Sequence, residues 1–160
     1  VLCAGSPDEP AIGKETADLI AELQRTRKNV WWFEKMLPKA DVIKLLSTAD
    51  LFVCPSIYEP LGIVNLEAMA CETAVLASRV GGIPEVVVDG VTGELVDYDG
   101  DGPAFEKRFA AKLKTLLADP EKLATYGRAG WSRTVSEFAW DAIAEQTTEL
   151  YKTVLSRSAR

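Results

Sequence analysis

Two glutamates carry the first chemical signal. Glu59 and Glu67 have seven residues between them, in the stretch Ser56-Ile-Tyr-Glu-Pro-Leu-Gly-Ile-Val-Asn-Leu-Glu-Ala-Met-Ala70. An apolar run ends at Pro55, a turn holds Glu59-Pro60-Leu61-Gly62, and a segment of helical character follows. The free N–H groups of a helix's first turn, at the positive end of its dipole, make an anion site suited to a phosphate. Gly62 lets a ligand approach the backbone closely. Apart from Asn65, Glu67 is the polar exception in an apolar helix, and a buried, unpaired carboxylate is costly. The expectation is therefore a buried Glu67 with a defined partner. Helical side chains lean toward the N-terminus, so Glu67 points back over the turn. There it can accept two hydrogen bonds from a sugar diol, as an acidic residue does for ribose in dinucleotide folds. The pair suits a sugar nucleotide, with phosphate at the helix start, ribose at Glu67 and a second sugar near Glu59. The competing reading is structural: a solvated Glu59 and a Glu67 paired in the core with a lysine.

The elements that must position these residues follow from the apolar pattern. It predicts strands at 1–5, 29–37, 51–55, 74–78 and 94–96, and helices at 11–28, 40–48, 62–72, 103–118, 120–127 and 139–156. A glycine-rich turn and short helix occupy 80–90. Pro103 and Pro120 fall in first turns, which tolerate proline, and the helix begun at Pro120 is expected to end near Gly127. The runs Leu-Phe-Val-Cys-Pro and Ala-Val-Leu-Ala-Ser are apolar on both faces, which argues for an α/β fold with a parallel sheet flanked by helices. Such sheets bind ligands at the carboxyl ends of their strands. Function is thus expected in the turns at 5–10, 36–39, 56–62 and 79–85.

Composition narrows the chemistry. The 160 residues are 48% hydrophobic and 26% charged, the balance of an ordered globular domain. No apolar run approaches the roughly 18 residues of a membrane helix, and no basic segment precedes an apolar core as in a signal peptide. A net charge of −6 argues against a nucleic-acid backbone as partner. There is no histidine, so imidazole bases, Ser-His-Asp triads and histidine zinc sites are excluded from this chain. Cys3, Cys54 and Cys71 are scattered in apolar stretches and read as reduced, buried small hydrophobes of a cytoplasmic protein. Charge is segregated: seven acids from Glu85 to Glu106 run without a base, and seven bases follow from Lys107 to Arg133. That order predicts a solvated acidic loop and a helix with a basic outer face.

Several of these segments together resemble a known family. The Glu59–Glu67 spacing, with Pro-Leu-Gly opening the helix and Glu-Ala-Met-Ala closing it, is similar to the E-x7-E motif of family 4 retaining glycosyltransferases of GT-B fold. Gly81-Gly82-Ile-Pro-Glu-Val-Val-Val-Asp-Gly-Val-Thr-Gly-Glu-Leu-Val96 resembles that family's next signature. Ala49-Asp50-Leu-Phe-Val-Cys-Pro-Ser56 resembles the preceding strand, and Phe138-Ala-Trp140 with Leu150-Tyr151 the closing helix. Within the family the text is most similar to actinobacterial-type glycogen synthases. The resemblance implies a Rossmann-like donor domain over residues 1–160, the C-terminal half of a GT-B fold. Its final helix, 139–156, would pack back toward an N-terminal acceptor domain. The implied activity is hexosyl transfer from ADP-glucose or UDP-glucose to an α-glucan, without a metal or other cofactor. Glu59 would contact the transferred sugar as the catalytic carboxylate. Pro60, Leu61, Gly62 and Ile63 would hold the diphosphate and sugar, with the amides of Leu61, Gly62 and Ile63 as donors. Glu67 would bind the ribose hydroxyls, Met36 and Leu37 would pack the base, and Gly81-Gly82 would make a tight turn beside the site.

The departures are specific. Positions 72 and 74 are Glu and Ala where the family usually has Gly and Pro, and Arg79 replaces a small or acidic residue. An arginine there serves either a phosphate or a surface salt bridge. The family's diphosphate-clamping arginine and lysine have no counterpart in this chain. They belong to a first strand and loop, so residues 1–5 correspond to the second strand and the sheet is expected to be one strand short. The isolated chain is accordingly expected to be inactive and to bind donor weakly. Two rival readings remain open: a non-catalytic nucleotide- or partner-binding α/β module, and a GT-B sugar-nucleotide epimerase.

Overall fold

A computed structural model describes residues 2–4 and 9–158. The chain divides into two compact units, Val1–Lys44 and Leu45–Arg160. The N-terminal unit holds β1 (Leu2–Ala4), α1 (Pro10–Thr26) and β2 (Trp31–Phe33), with β1 and β2 paired in parallel. Helix α2 (Lys39–Thr48) runs from this unit into the next. The expected turn at 5–10 falls largely on residues outside those described, as does the Cys3 side chain.

The C-terminal unit is built around β4 (Ala74–Arg79), which lies between β3 (Leu51–Cys54) and β5 (Gly93–Asp97) in a three-stranded parallel sheet. Every residue of β4 except Arg79 is buried. Alternate side chains of a strand face opposite ways, and here each set has its own core. Val75 and Ala77 pack with Ala68 and Met69 of α3 (Ile63–Ala70) and with Ile83 and Val86 of α4 (Ile83–Val86). Ala74 and Leu76 pack with Phe105, Phe109 and Leu116 of α5 (Gly102–Leu117) and with Leu123 and Tyr126 of α6 (Pro120–Arg133). This is the α/β, helix-flanked parallel sheet the apolar runs call for. A π-helical turn, Thr134–Phe138, leads into α7 (Trp140–Ser158).

Aspartates begin the two helices on the second face. The Asp101 carboxylate accepts the Ala104 N–H at 3.0 Å, and that of Asp119 accepts the Lys122 N–H at 3.0 Å. Helix α6 passes through Gly127 rather than ending there. A Cβ at Gly127 would lie 2.0 Å from the Glu72 carbonyl oxygen, and one at Gly130 would lie 2.9 Å from Met69 Cγ. These glycines bring α6 down onto the turn between α3 and β4; they do not stop the helix.

The segregated charges meet in space, which corrects the expectation of a solvated acidic loop. Arg79 bridges Asp89 at 2.5 Å and Asp97 at 2.8 Å, and Arg108 reaches Asp99 at 3.1 Å. Glu94 is buried, 6% exposed, and accepts from Lys112, from Lys122 at 2.6 Å and from Tyr126 Oη at 3.0 Å. Burial alone raises its carboxyl, but the hydrogen bonds from Lys112, Lys122 and Tyr126 together outweigh that and bring it from 4.5 down to about 2.

Candidate active site

The strand-to-helix turn after β3 carries the expected site residues, and its shape comes from two glycine contacts. Gly62 is the residue before α3 and has φ 90°, in the left-handed region where glycine bears no Cβ penalty. The Glu59 carboxylate reaches forward and accepts the Gly62 N–H at 3.1 Å. Across from it, the Gly82 N–H donates to the Glu59 carbonyl at 3.0 Å. Gly81 has φ 51°, and a Cβ there would sit 1.9 Å from that same carbonyl oxygen. A Cβ at Gly82 would come within 2.5 Å of the Pro60 carbonyl oxygen. Gly81-Gly82 therefore makes a tight turn pressed against Glu59-Pro60. Ser78, at the end of β4, ties down the beginning of the same turn by donating to the Ser56 carbonyl.

One expected anion donor is already engaged, since the Gly62 amide serves Glu59. The described hydrogen bonds leave the N–H groups of Leu61 and Ile63 open at the start of α3. The second Glu59 oxygen has no partner among the described residues. The arrangement can thus offer two backbone donors and the dipole of α3 to an anion, with a half-buried carboxylate beside them.

Glu67 is exposed and has no hydrogen-bond or ion-pair partner among the described residues, which corrects the expectation of a buried, paired carboxylate. The cause is the phase of α3. Its eight residues bury a stripe of Asn65, Ala68 and Met69, and leave Ile63, Val64, Glu67 and Ala70 outward. Apolar residues on that outward face, Ile63 at 57% exposure among them, made the carboxylate look enclosed. The exposed face still places Glu67 one turn beyond Ile63, on the side of the helix that opens to solvent beside the turn.

The buried polar residue in α3 is Asn65, fully enclosed, with neither Nδ2 nor Oδ1 hydrogen-bonded among the described residues. Its Nδ2 lies 2.9 Å from where a Cβ of Gly62 would stand, directly under the turn. From the sequence alone Glu67, not Asn65, is the expected buried polar residue of this helix. The signal available for Asn65 was its place two residues before the carboxylate, on the stripe with Ala68 and Met69.

The remaining expected residues divide. Pro60 and Leu61 are exposed on the turn with Ile63. Met36, 82% exposed, and the half-buried Leu37 belong to the N-terminal unit, between β2 and α2, and not to the unit that holds Glu59 and Glu67. Arg79 is engaged by Asp89 and Asp97, so the salt-bridge reading of that position holds. Glu72, where the resemblance implies glycine, adopts φ 58°.

The architecture is that of the C-terminal half of GT-B glycosyltransferases. The structure of Anabaena HepE in complex with UDP-glucose superposes with a TM-score of 0.69 at 25% identity, covering 95% of this chain and 40% of that one. Residues 11–133 match the family described as Glycosyl transferases group 1, and the chain belongs to that family. An α-maltose-1-phosphate synthase from Mycolicibacterium smegmatis is 55% identical over 155 residues, 96% of this chain. A glycogen synthase from Mycobacterium tuberculosis is 36% identical over 115 residues, 72% of this chain. The chain spans 40% of the length of the first of these enzymes and 27% of the second.

Proposed function

We propose that this chain is the nucleotide-sugar-binding half of a retaining glucosyltransferase that draws on ADP-glucose or UDP-glucose. The observation that carries the reading is the turn at 59–63, which puts a glycine-opened helix, two open amides and the Glu59 carboxylate together, with Glu67 on the exposed face of the same helix. The diphosphate would sit on the Leu61 and Ile63 amides and the dipole of α3, which offset its charge as it leaves, with no metal required. Donor binding would break the Glu59–Gly62 hydrogen bond, releasing the carboxylate to the sugar hydroxyls and the Gly62 amide to the phosphate. Glu67, without a partner among the described residues, would take the ribose diol. Met36 and Leu37 would pack the base.

Two acceptors fit. An α-glucan is what the glycogen-synthase resemblance implies. The more similar relative is named for making α-maltose-1-phosphate, a product that glucosyl transfer to a glucose phosphate would yield. The acceptor would be held by a further domain. In support, α7 carries an outward apolar stripe of Trp140, Leu150, Tyr151 and Leu155, all strongly exposed. Incubating the full-length protein with each donor, and with glycogen or glucose 1-phosphate, tests the reading. Transfer to either acceptor is expected; neither transfer nor donor hydrolysis with any nucleotide sugar would leave a binding module instead.

A further inference from the structure

Arg133 is the last residue of α6, and its side chain reaches an element almost fifty residues back. Nε donates to the Val86 carbonyl at 3.0 Å and Nη2 to the Glu85 carbonyl at 2.9 Å. Nη1 pairs with Glu137 at 2.7 Å, and the guanidinium lies 5.3 Å from the centre of the Phe138 ring. Glu85 and Val86 end α4, a helix of a single turn, where carbonyls lack intrahelical partners. The arginine therefore caps α4 from another element. Its planar fork matches two adjacent carbonyls, which a lysine's single ammonium does not.

What α4 holds at its other end is the Glu59 turn. Gly82 immediately precedes α4 and donates to the Glu59 carbonyl at 3.0 Å, with no room for a side chain at Gly81 or Gly82. Ile83, the first residue of α4, stands 3.4 Å from where a Cβ of Gly62 would be. A shift at the C-terminal end of so short a helix carries through to these contacts, because nothing between them is long enough to absorb it. The π-helical turn that follows Arg133 supplies Glu137 and Phe138, and such turns recur at functional sites.

We propose that Arg133 is a positioning residue for Glu59: by fastening the end of α4 it sets the Gly81-Gly82 turn, and through it the Glu59 carboxylate. This rests on Glu59 being the carboxylate that contacts the reacting sugar. A small misplacement of a reacting group lowers turnover strongly, while a donor held also by the Ile63 amide, the dipole of α3 and Glu67 still binds.

The test uses full-length protein, with glucosyl transfer from ADP-glucose and UDP-glucose and amide hydrogen exchange at Gly82. R133K, which keeps the charge but not the fork, is expected to lower kcat about 10-fold with donor KM changed less than about 2-fold, and to speed exchange at Gly82. R133Q, which keeps one donor group, should do the same and serves if lysine prevents folding. E137Q, which removes the ion pair but not the fork, should stay within about 2-fold of the parent. In an E59Q background R133K should add nothing further. If E59Q lowers kcat but R133K and R133Q do not, or if the two effects multiply, the proposal is overturned and the Glu59 reading survives. If E59Q retains the parent kcat, the Glu59 reading falls and the proposal with it.

Discussion

The two units of this chain contrast in what they bury. In the C-terminal unit β4 is enclosed on both faces, and each face has a core drawn from different helices. In the N-terminal unit α1 has no buried residue, and its apolar Ile12, Leu19 and Leu23 are exposed; Val30 is the buried residue among those described there. The C-terminal unit therefore carries its own hydrophobic stabilisation, while the N-terminal unit holds little of what burial supplies. The candidate site follows the same division. The turn at 59–63 is fixed by contacts within the well-packed unit, from Ser78, Gly81 and Gly82. Met36 and Leu37, which the resemblance implies for the base, belong to the sparsely packed one.

The sharpest way to break this contrast is the middle of β4. Leu76 is 0% exposed, and Leu76→Ala should cost about 3 kcal/mol in urea unfolding. A loss under about 1 kcal/mol would mean the core is not the one described. Next is the ion cluster around the buried Glu94 carboxylate. Glu94→Gln removes the carboxylate that Lys112, Lys122 and Tyr126 share, and should cost on the order of 3 kcal/mol near neutral pH. The folded carboxyl sits at about 2, below its ordinary 4.5. Its contribution is therefore complete above about pH 4.5 and is lost as pH falls toward 2. The variant's stability should show a shallower decline across that window than the parent's.

A smaller effect of opposite sign is expected at Glu72, held at φ 58°. Glu72→Gly relieves a left-handed conformation and should raise stability by about 1 kcal/mol, read as a higher urea midpoint. The least effect belongs to the N-terminal unit. Leu19 is 61% exposed, and Leu19→Ala should leave the main unfolding transition within about 0.5 kcal/mol of the parent. A loss as large as that of Leu76→Ala would erase the distinction between the units.

The strands and helices of the packed unit were legible because their signals are local. Ala-Val-Leu-Ala-Ser announces a strand buried on both faces, and the prolines in the first turns of α5 and α6 announce their starts. The Glu59 turn and the glycine pair beside it were legible as a motif. What escaped depends on contacts between distant residues. Gly127 reads as a helix end in sequence, yet it lies inside α6, where the Glu72 carbonyl leaves no room for a Cβ. Glu94 joins lysines 18 and 28 residues away, so an acidic run hides a buried carboxylate paired at long range. Glu67 and Asn65 differ by two positions on a short helix, enough to exchange which one is enclosed.

The role proposed for the turn at 59–63 with Glu67 is to bind a nucleotide sugar. Glu67 is exposed and has no partner among the described residues, so replacing it should leave folding untouched. Calorimetric titration of ADP-glucose and UDP-glucose into full-length protein, parent against Glu67→Ala, tests this most directly. The parent is expected to bind at least one donor and the variant to bind it at least roughly 10-fold more weakly, at unchanged melting temperature. Equal affinity in the two proteins would contradict it.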